Sequence, residues 1–155
     1  MAELNNAGIR KFSNGMNPVK YEQFPHTADI GIRVFGKDLK ELFENAAFGM
    51  FDVIADLEGI KASIEEVIEA DGETTEELLV AWLDELLYRF YTKEIIFSKF
   101  LIEELSENTL KAKVFGRPVG ANRNRLKVEI KAVTYSDLKI KSSGGGYQVE
   151  IIFDV

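Results

Sequence analysis

Two stretches of the chain carry the same signal, and together they fix most of what it can fold into. In the first, Asp38 precedes an apolar series at helical spacing: Leu39, Leu42, Phe43, Ala46, Ala47, Met50, Phe51 and Ile54. Glu41 stands three residues after the aspartate. In the second, Thr74 precedes Leu78, Leu79, Trp82, Leu83, Leu86, Leu87 and Phe90, again with a glutamate, Glu77, three residues on. A capping side chain followed by Glu at this distance satisfies the free N–H groups at a helix start. Each apolar stripe occupies one side of its helix and has to pack on a sheet or on another helix.

Around and after these helices the period is two. Tyr21–Phe24 reads as a short strand ending at Pro25, and Ile30, Ile32 and Val34 alternate with Gly31 and Arg33. Ala62–Ala70 is rich in β-branched residues and ends at the turn signal Asp71-Gly72. Phe100–Leu105, Leu110–Phe115, Leu126–Val133 and Tyr147–Phe153 follow as strands, with Ser142–Gly146 as a hairpin connection between the last two. Strands and helices interleave first, and then strands run on. That order predicts an α+β fold with two amphipathic helices packed on a largely antiparallel or mixed sheet.

The chain has 155 residues, with hydrophobic types at 46%, enough for one domain with its own core. Residues 1–19 show no periodicity and are expected to form a flexible tail, with the domain spanning 20–155. No cysteine is present, which removes thiolate catalysis, iron–sulfur clusters and the usual zinc sites. No apolar run approaches a membrane span, and residues 1–20 lack the apolar centre of a signal peptide. A cytoplasmic protein is expected. The net charge of −7, from 19 basic and 26 acidic residues, disfavours stand-alone binding to nucleic acid.

The candidate functional residues are few. His26, the single histidine, lies in Phe24-Pro25-His26-Thr27-Ala28-Asp29-Ile30-Gly31-Ile32, three residues before Asp29. A lone histidine is most often structural, and no nucleophile-elbow motif accompanies it. Asp29, at a strand entry, either caps a turn or coordinates something. At the other end of the chain, Asp154 lies beside the terminal carboxylate of Val155. Two hard oxygen donors there bind Ca²⁺ or Mg²⁺ if a third carboxylate joins them; a solvated terminus is the ordinary alternative. Asp84 and Glu85 fall on the polar face of the second helix, and Lys131 on the exposed phase of its strand. The basic stretch Gly116–Arg125 suits RNA phosphate, an acidic partner or a plain solubilising loop. Gly144-Gly145-Gly146 lacks the Lys-Ser/Thr ending of a phosphate loop.

Five pieces carry a family likeness: HTADIGI at 26–32, GKDLKELFENAAFGMF from Gly36, WLDELL at 82–87, KAVTY at 131–135 and the closing FDV. In this order and spacing they resemble the archease family, over Tyr21 to Val155. The resemblance implies an activator rather than an enzyme. Archeases act with the RtcB-type tRNA-splicing RNA ligase, promoting its guanylylation and so its multiple turnover. Some are linked to RNA methyltransferases as chaperones or specificity modulators, and tRNA is then an indirect partner. The resemblance also implies a divalent metal, calcium with Mg or Mn as alternatives, held by Asp29, Asp154 and Val155. His26, Lys131 and Asp84 are the implied supporting or partner-contacting residues. One departure stands out: the family's lysine–tyrosine motif usually continues with a histidine, and here the residue is Ser136.

Overall fold

The computed structural model of the chain describes residues 2–4, 10–12, 19–26, 28–135 and 137–155. It is an α+β fold with two antiparallel sheets where the sequence suggested one. The strands are β1 (Ala2–Leu4), β2 (Arg10–Phe12), β3 (Tyr21–His26), β4 (Asp29–Gly36), β5 (Ile64–Asp71), β6 (Ile95–Leu105), β7 (Thr109–Pro118), β8 (Ala132–Thr134), β9 (Lys141–Ser143) and β10 (Gly146–Asp154). The helices are α1 (Leu39–Ile54) and α2 (Thr75–Lys93), with a 3₁₀ turn at Gly120–Arg125. The larger sheet has seven strands in the order β1-β2-β3-β4-β10-β8, with β9 also on β10; the smaller runs β5-β7-β6. Strands β8 and β9 share one edge of β10, pairing with its last and first residues respectively. Of the expected tail, β1 and β2 extend the large sheet beyond β3, and most of its other residues lie outside those described.

Both predicted caps form. The Asp38 carboxylate accepts from the Glu41 N–H at 2.8 Å, and the Glu41 carboxylate reaches back to the Lys37 N–H at 3.0 Å. Thr74 Oγ1 accepts from Glu77 N–H at 3.1 Å, and Glu77 reaches the Glu73 N–H at 2.8 Å. In each case the returning glutamate takes the N–H one residue before the cap, tying the entering chain to the first turn of the helix.

Helix α1 packs on β4 of the large sheet and on β6 of the small one, so it joins the two. Its Phe51 ring lies edge-on to Phe90 and Phe97, at 6.0 and 5.6 Å, and 5.7 Å from Phe100. Trp82 of α2 is fully buried, and its indole N–H donates to the Phe43 carbonyl at 2.9 Å, which removes the cost of a buried unpaired donor. The free edge of β6 is also covered by α1. Glu44 accepts from the Ile102 N–H at 2.9 Å, and Lys40 donates to the Glu103 carbonyl at 3.3 Å.

The expected strand Leu126–Val133 is mostly not a ladder. Only Ala132–Thr134 pairs as a strand, and Leu126 makes a single bridge to Ala55. Leu126, Val128 and Ile130 still turn inward, as their alternation suggests. Their backbone is claimed elsewhere: Lys127 and Val128 both donate to the Ile54 carbonyl at the end of α1, at 2.7 and 3.3 Å. The Tyr91 hydroxyl donates to the Ile130 carbonyl at 2.7 Å. The glycine hairpin joins β9 to β10. Gly144 and Gly145, at φ 55° and 87°, supply the two left-handed residues of a tight two-residue turn.

Candidate functional site

The outward face of the large sheet is built in rows. Antiparallel pairing sets His26 opposite Asp29, Phe24 opposite Gly31, and Glu22 opposite Arg33. On the far side of β4, Gly31 faces Ile152 and Arg33 faces Glu150, and Ile152 in turn faces Thr134 of β8. Phe153 opposite Ile30 is the last β4–β10 rung, and one residue further along each strand come Asp154 and Asp29. Side chains alternate, so Ile151 and Phe153 are buried while Glu150, Ile152 and Asp154 share the outward face with Asp29 and His26. Residues 125 apart in sequence thus come to the same end of one face, each one position beyond the last rung.

At that end His26 Nδ1 lies 3.8 Å from Asp29 Oδ2, with side chains 51% and 33% exposed, so the carboxylate is open to a ligand. Asp154 is exposed, and its carbonyl accepts from the Lys131 N–H at 2.7 Å, which places the KAVTY segment against the chain end. Lys131 is itself exposed. Asp84 lies on an exposed position of α2 and does not line the same cleft; partial burial of its carboxyl raises its pKa. Thr27 and Ser136 fall outside the described residues.

Behind Asp29 the face is concave. A cleft of about 450 Å³ is lined by Phe24, His26, Asp29, Lys139, Lys141 and Glu150, among others. Its floor is rigid. The Phe24 ring covers Gly31, and the Arg33 guanidinium lies 5.4 Å from that ring. Arg33 is held at 3.1 Å from Glu22 and 3.7 Å from Glu150. Sequence reasoning singled out neither this row nor the two lysines. Arg33 and Glu150 share the parity of Asp29 and Asp154, and that is the signal that would have found them. Nothing in the pattern around Lys139 separates it from any surface lysine.

The basic stretch is tied down. Arg117 donates to the Lys61 carbonyl at 3.0 Å, and Arg123 pairs with Glu94 at 3.0 Å. Arg125 donates to the carbonyls of Asp56 and Glu58, at 3.2 and 2.6 Å. Arg117 and Arg125 clamp the stretch on the loop after α1, and Arg123 makes an exposed pair with the end of α2.

A sequence model of the Archease protein family matches residues 21–155, most of the chain. The chain belongs to that family. The protein archease of Methanosarcina mazei is 39% identical over 140 residues, spanning 88% of this chain and 96% of the relative. That of Sulfurisphaera tokodaii is 36% identical over 137 residues, spanning 88% and 99%. A Methanobacterium thermoautotrophicum protein solved in solution superposes with TM-score 0.71 at 33% identity, covering 88% of this chain and 99% of that one. The crystal structure of a Thermotoga maritima archease, described as a possible chaperone, superposes with TM-score 0.57 at 22% identity, covering 93% and 100%, a likeness of fold.

The metal that the archease resemblance implies can be tested against the donors. Asp29, Asp154 and the Val155 carboxylate are all oxygen donors, suited to a hard cation and unsuited to zinc. Among the described residues no group of three or more His, Cys, Asp and Glu side chains could hold a metal. Two side-chain carboxylates and a terminal carboxylate have the donor chemistry that such a cation takes. Among the described residues no helix is long and apolar enough to cross a membrane.

Proposed function

We propose that this chain is a non-enzymatic activator of an RtcB-type RNA ligase. It promotes the guanylylation that returns the ligase to its active form. The observation that supports this reading is the convergence of Asp29 and Asp154 at one end of the outward sheet face, inside a family otherwise recognised only by sequence and fold. Asp29, Asp154 and the Val155 carboxylate would hold a divalent cation, calcium or else Mg²⁺ or Mn²⁺. Such an ion neutralises charge on phosphoryl oxygens and positions them, which is most of what phosphoryl transfer needs. The chain's part is to present these carboxylates from a rigid sheet end, with His26 beside Asp29 and Lys131 beside the terminus, to the ligase's own site.

The test is ligation with limiting ligase, GTP and Mn²⁺, following product and the covalent guanylate with and without this chain. Turnover that rises with the wild-type chain and fails to rise with Asp29→Ala or Asp154→Ala supports the reading. Wild-type stimulation by both variants sinks it.

A second reading, a chaperone or specificity modulator of an RNA methyltransferase, is favoured by the description of the Thermotoga relative as a possible chaperone. The exposed Tyr88 and Tyr91 on α2 suit a protein contact. Co-purification with a methyltransferase, and a change in the methylated position on mixing, would favour it over the ligase.

A further inference from the structure

We infer that the cleft behind Asp29 is a phosphate-binding site, with Lys139 and Lys141 as its cations and Phe24 and Ile152 as an apolar floor. The inference extends the cation reading above by naming what the adjoining cleft receives, and it can be tested apart from that reading.

The placement of its two lysines supports it. Elsewhere among the described residues five cations are ion-paired, while other exposed lysines such as Lys99 and Lys111 are single charges that do not share a cleft. Arg33 is paired with Glu22 and Glu150, Arg89 with Glu66 and Glu85, Lys93 with Glu66, Lys113 with Glu103 and Arg123 with Glu94. Among the described residues neither Lys139 nor Lys141 has an ion-pair partner, and both point into the same concavity. Of the three carboxylates there, Glu150 is already held by Arg33, and Asp29 faces His26. Asp137 is the third. It stands in a left-handed turn at φ 60°, a conformation aspartate tolerates better than most residues.

The lysines are also positioned. The loop that carries Lys139 is anchored on α2, where Glu76 accepts from the Ile140 N–H at 3.1 Å, and Leu138 N–H donates to the Tyr135 carbonyl at 3.3 Å. Lys141 is on β9, in register with Gln148 and on the strand that leads into the glycine turn. Lysine binds phosphate as a compact point charge. A volume of about 450 Å³ falls in the range of small-ligand sites. Phe24, half-buried, gives the cleft an apolar wall beside the lysines. The phosphate can belong to a free nucleotide or to the end of a nucleic-acid strand, and the two share the same recognition chemistry.

At 17.5 kDa the chain suits amide NMR. The probes are adenosine 5′-monophosphate and a short single-stranded oligonucleotide ending either in phosphate or in hydroxyl. The expected result is a shift of the Lys139, Lys141, Gln148 and His26 amides with a phosphate-bearing probe, and a weaker or absent response to the hydroxyl-ended strand. The double variant Lys139→Ala/Lys141→Ala should weaken binding about tenfold or more, while Lys99→Ala/Lys111→Ala, exposed lysines on the other sheet, should leave it unchanged. A response to the mononucleotide alone assigns the site to free nucleotides; one to the phosphate-ended strand alone assigns it to strand ends. No shift with either, equal shifts with the hydroxyl-ended strand, or binding indifferent to the two lysines overturns the inference. A parallel Mn²⁺ titration without phosphate separates the two ideas: lost lysine dependence with intact Mn²⁺ binding removes only the phosphate site, and absent Mn²⁺ binding with lysine-dependent shifts removes only the cation site.

Discussion

The Phe24 ring lies across Gly31 of the neighbouring strand, so close that a Cβ there would stand 2.4 Å from two ring carbons. The glycine in HTADIGI is therefore a packing requirement at the floor of the cleft. Gly31→Ala is expected to push the half-buried ring aside and cost about 1–3 kcal/mol by overpacking. In a Phe24→Ala background the same substitution should cost almost nothing. Denaturant titration of the four proteins in the cycle measures the coupling, and additive costs would contradict the contact.

Asp29→Asn and Asp154→Asn should each weaken divalent-cation binding by about tenfold or more, because each removes a charged oxygen from a small donor set. Thermal midpoints without metal should stay close to wild type, since both side chains are solvent-accessible at a sheet end. His26→Ala should have a smaller effect than either if it only orients Asp29. Calorimetric titration with Ca²⁺ and Mn²⁺ reads all three.

Glu44 guards an edge strand. Burial raises its carboxyl pKa, and the hydrogen bond from the Ile102 N–H works against that rise. Glu44→Ala should cost about 1–3 kcal/mol, the penalty of an unpaired buried amide. A raised folded pKa means the native state binds the proton more tightly, so this group's contribution to stability grows as pH falls and is lost as pH rises through the folded value. Glu44→Gln keeps an acceptor and should remove that pH dependence, as urea melts across the acid range would show.

Glu66 works with the opposite sign. Burial would raise its pKa, but hydrogen bonds from Lys93 and Arg89 outweigh it and bring it below the usual glutamate value. Its stabilisation is therefore present above about pH 4.5 and is lost as pH falls through the lowered folded value. Glu66→Gln should flatten the acid limb of the stability profile, and an unchanged limb would argue against the cluster.

Arg125 and Arg123 separate a structural clamp from a surface charge. Arg125→Ala loses bonds to two backbone carbonyls and should cost about 1–2 kcal/mol. Arg123→Ala breaks only an exposed pair and should cost less than about 1 kcal/mol. Neither should change affinity for an oligonucleotide measured by anisotropy. A drop with either would restore the RNA-contact reading of this stretch.

Much of the fold was legible because its signals are local. Asp38 with Glu41 and Thr74 with Glu77 mark helix starts within four residues, and an apolar stripe needs only its own spacing to declare a face. Leu126–Val133 misled for the same reason. Its alternation reports which side chains turn inward, and they do, but not whether another strand is there to pair. In the structure the end of α1 and the Tyr91 hydroxyl take up that backbone.

By itself the sequence determined the two capped helices, the inward and outward phases of the strands, the family likeness and the oxygen character of Asp29, Asp154 and the chain end. Only the tertiary structure decided that there are two sheets joined by α1, and that β10 lies between β4 and β8 so that the ends of the domain meet. It also decided that Lys139 and Lys141 share a concavity with Asp29 while the arginines of the basic stretch are occupied. Caps and periodicities are written within a few residues, whereas strand order and the pairing of charges depend on long-range packing, which no single segment encodes.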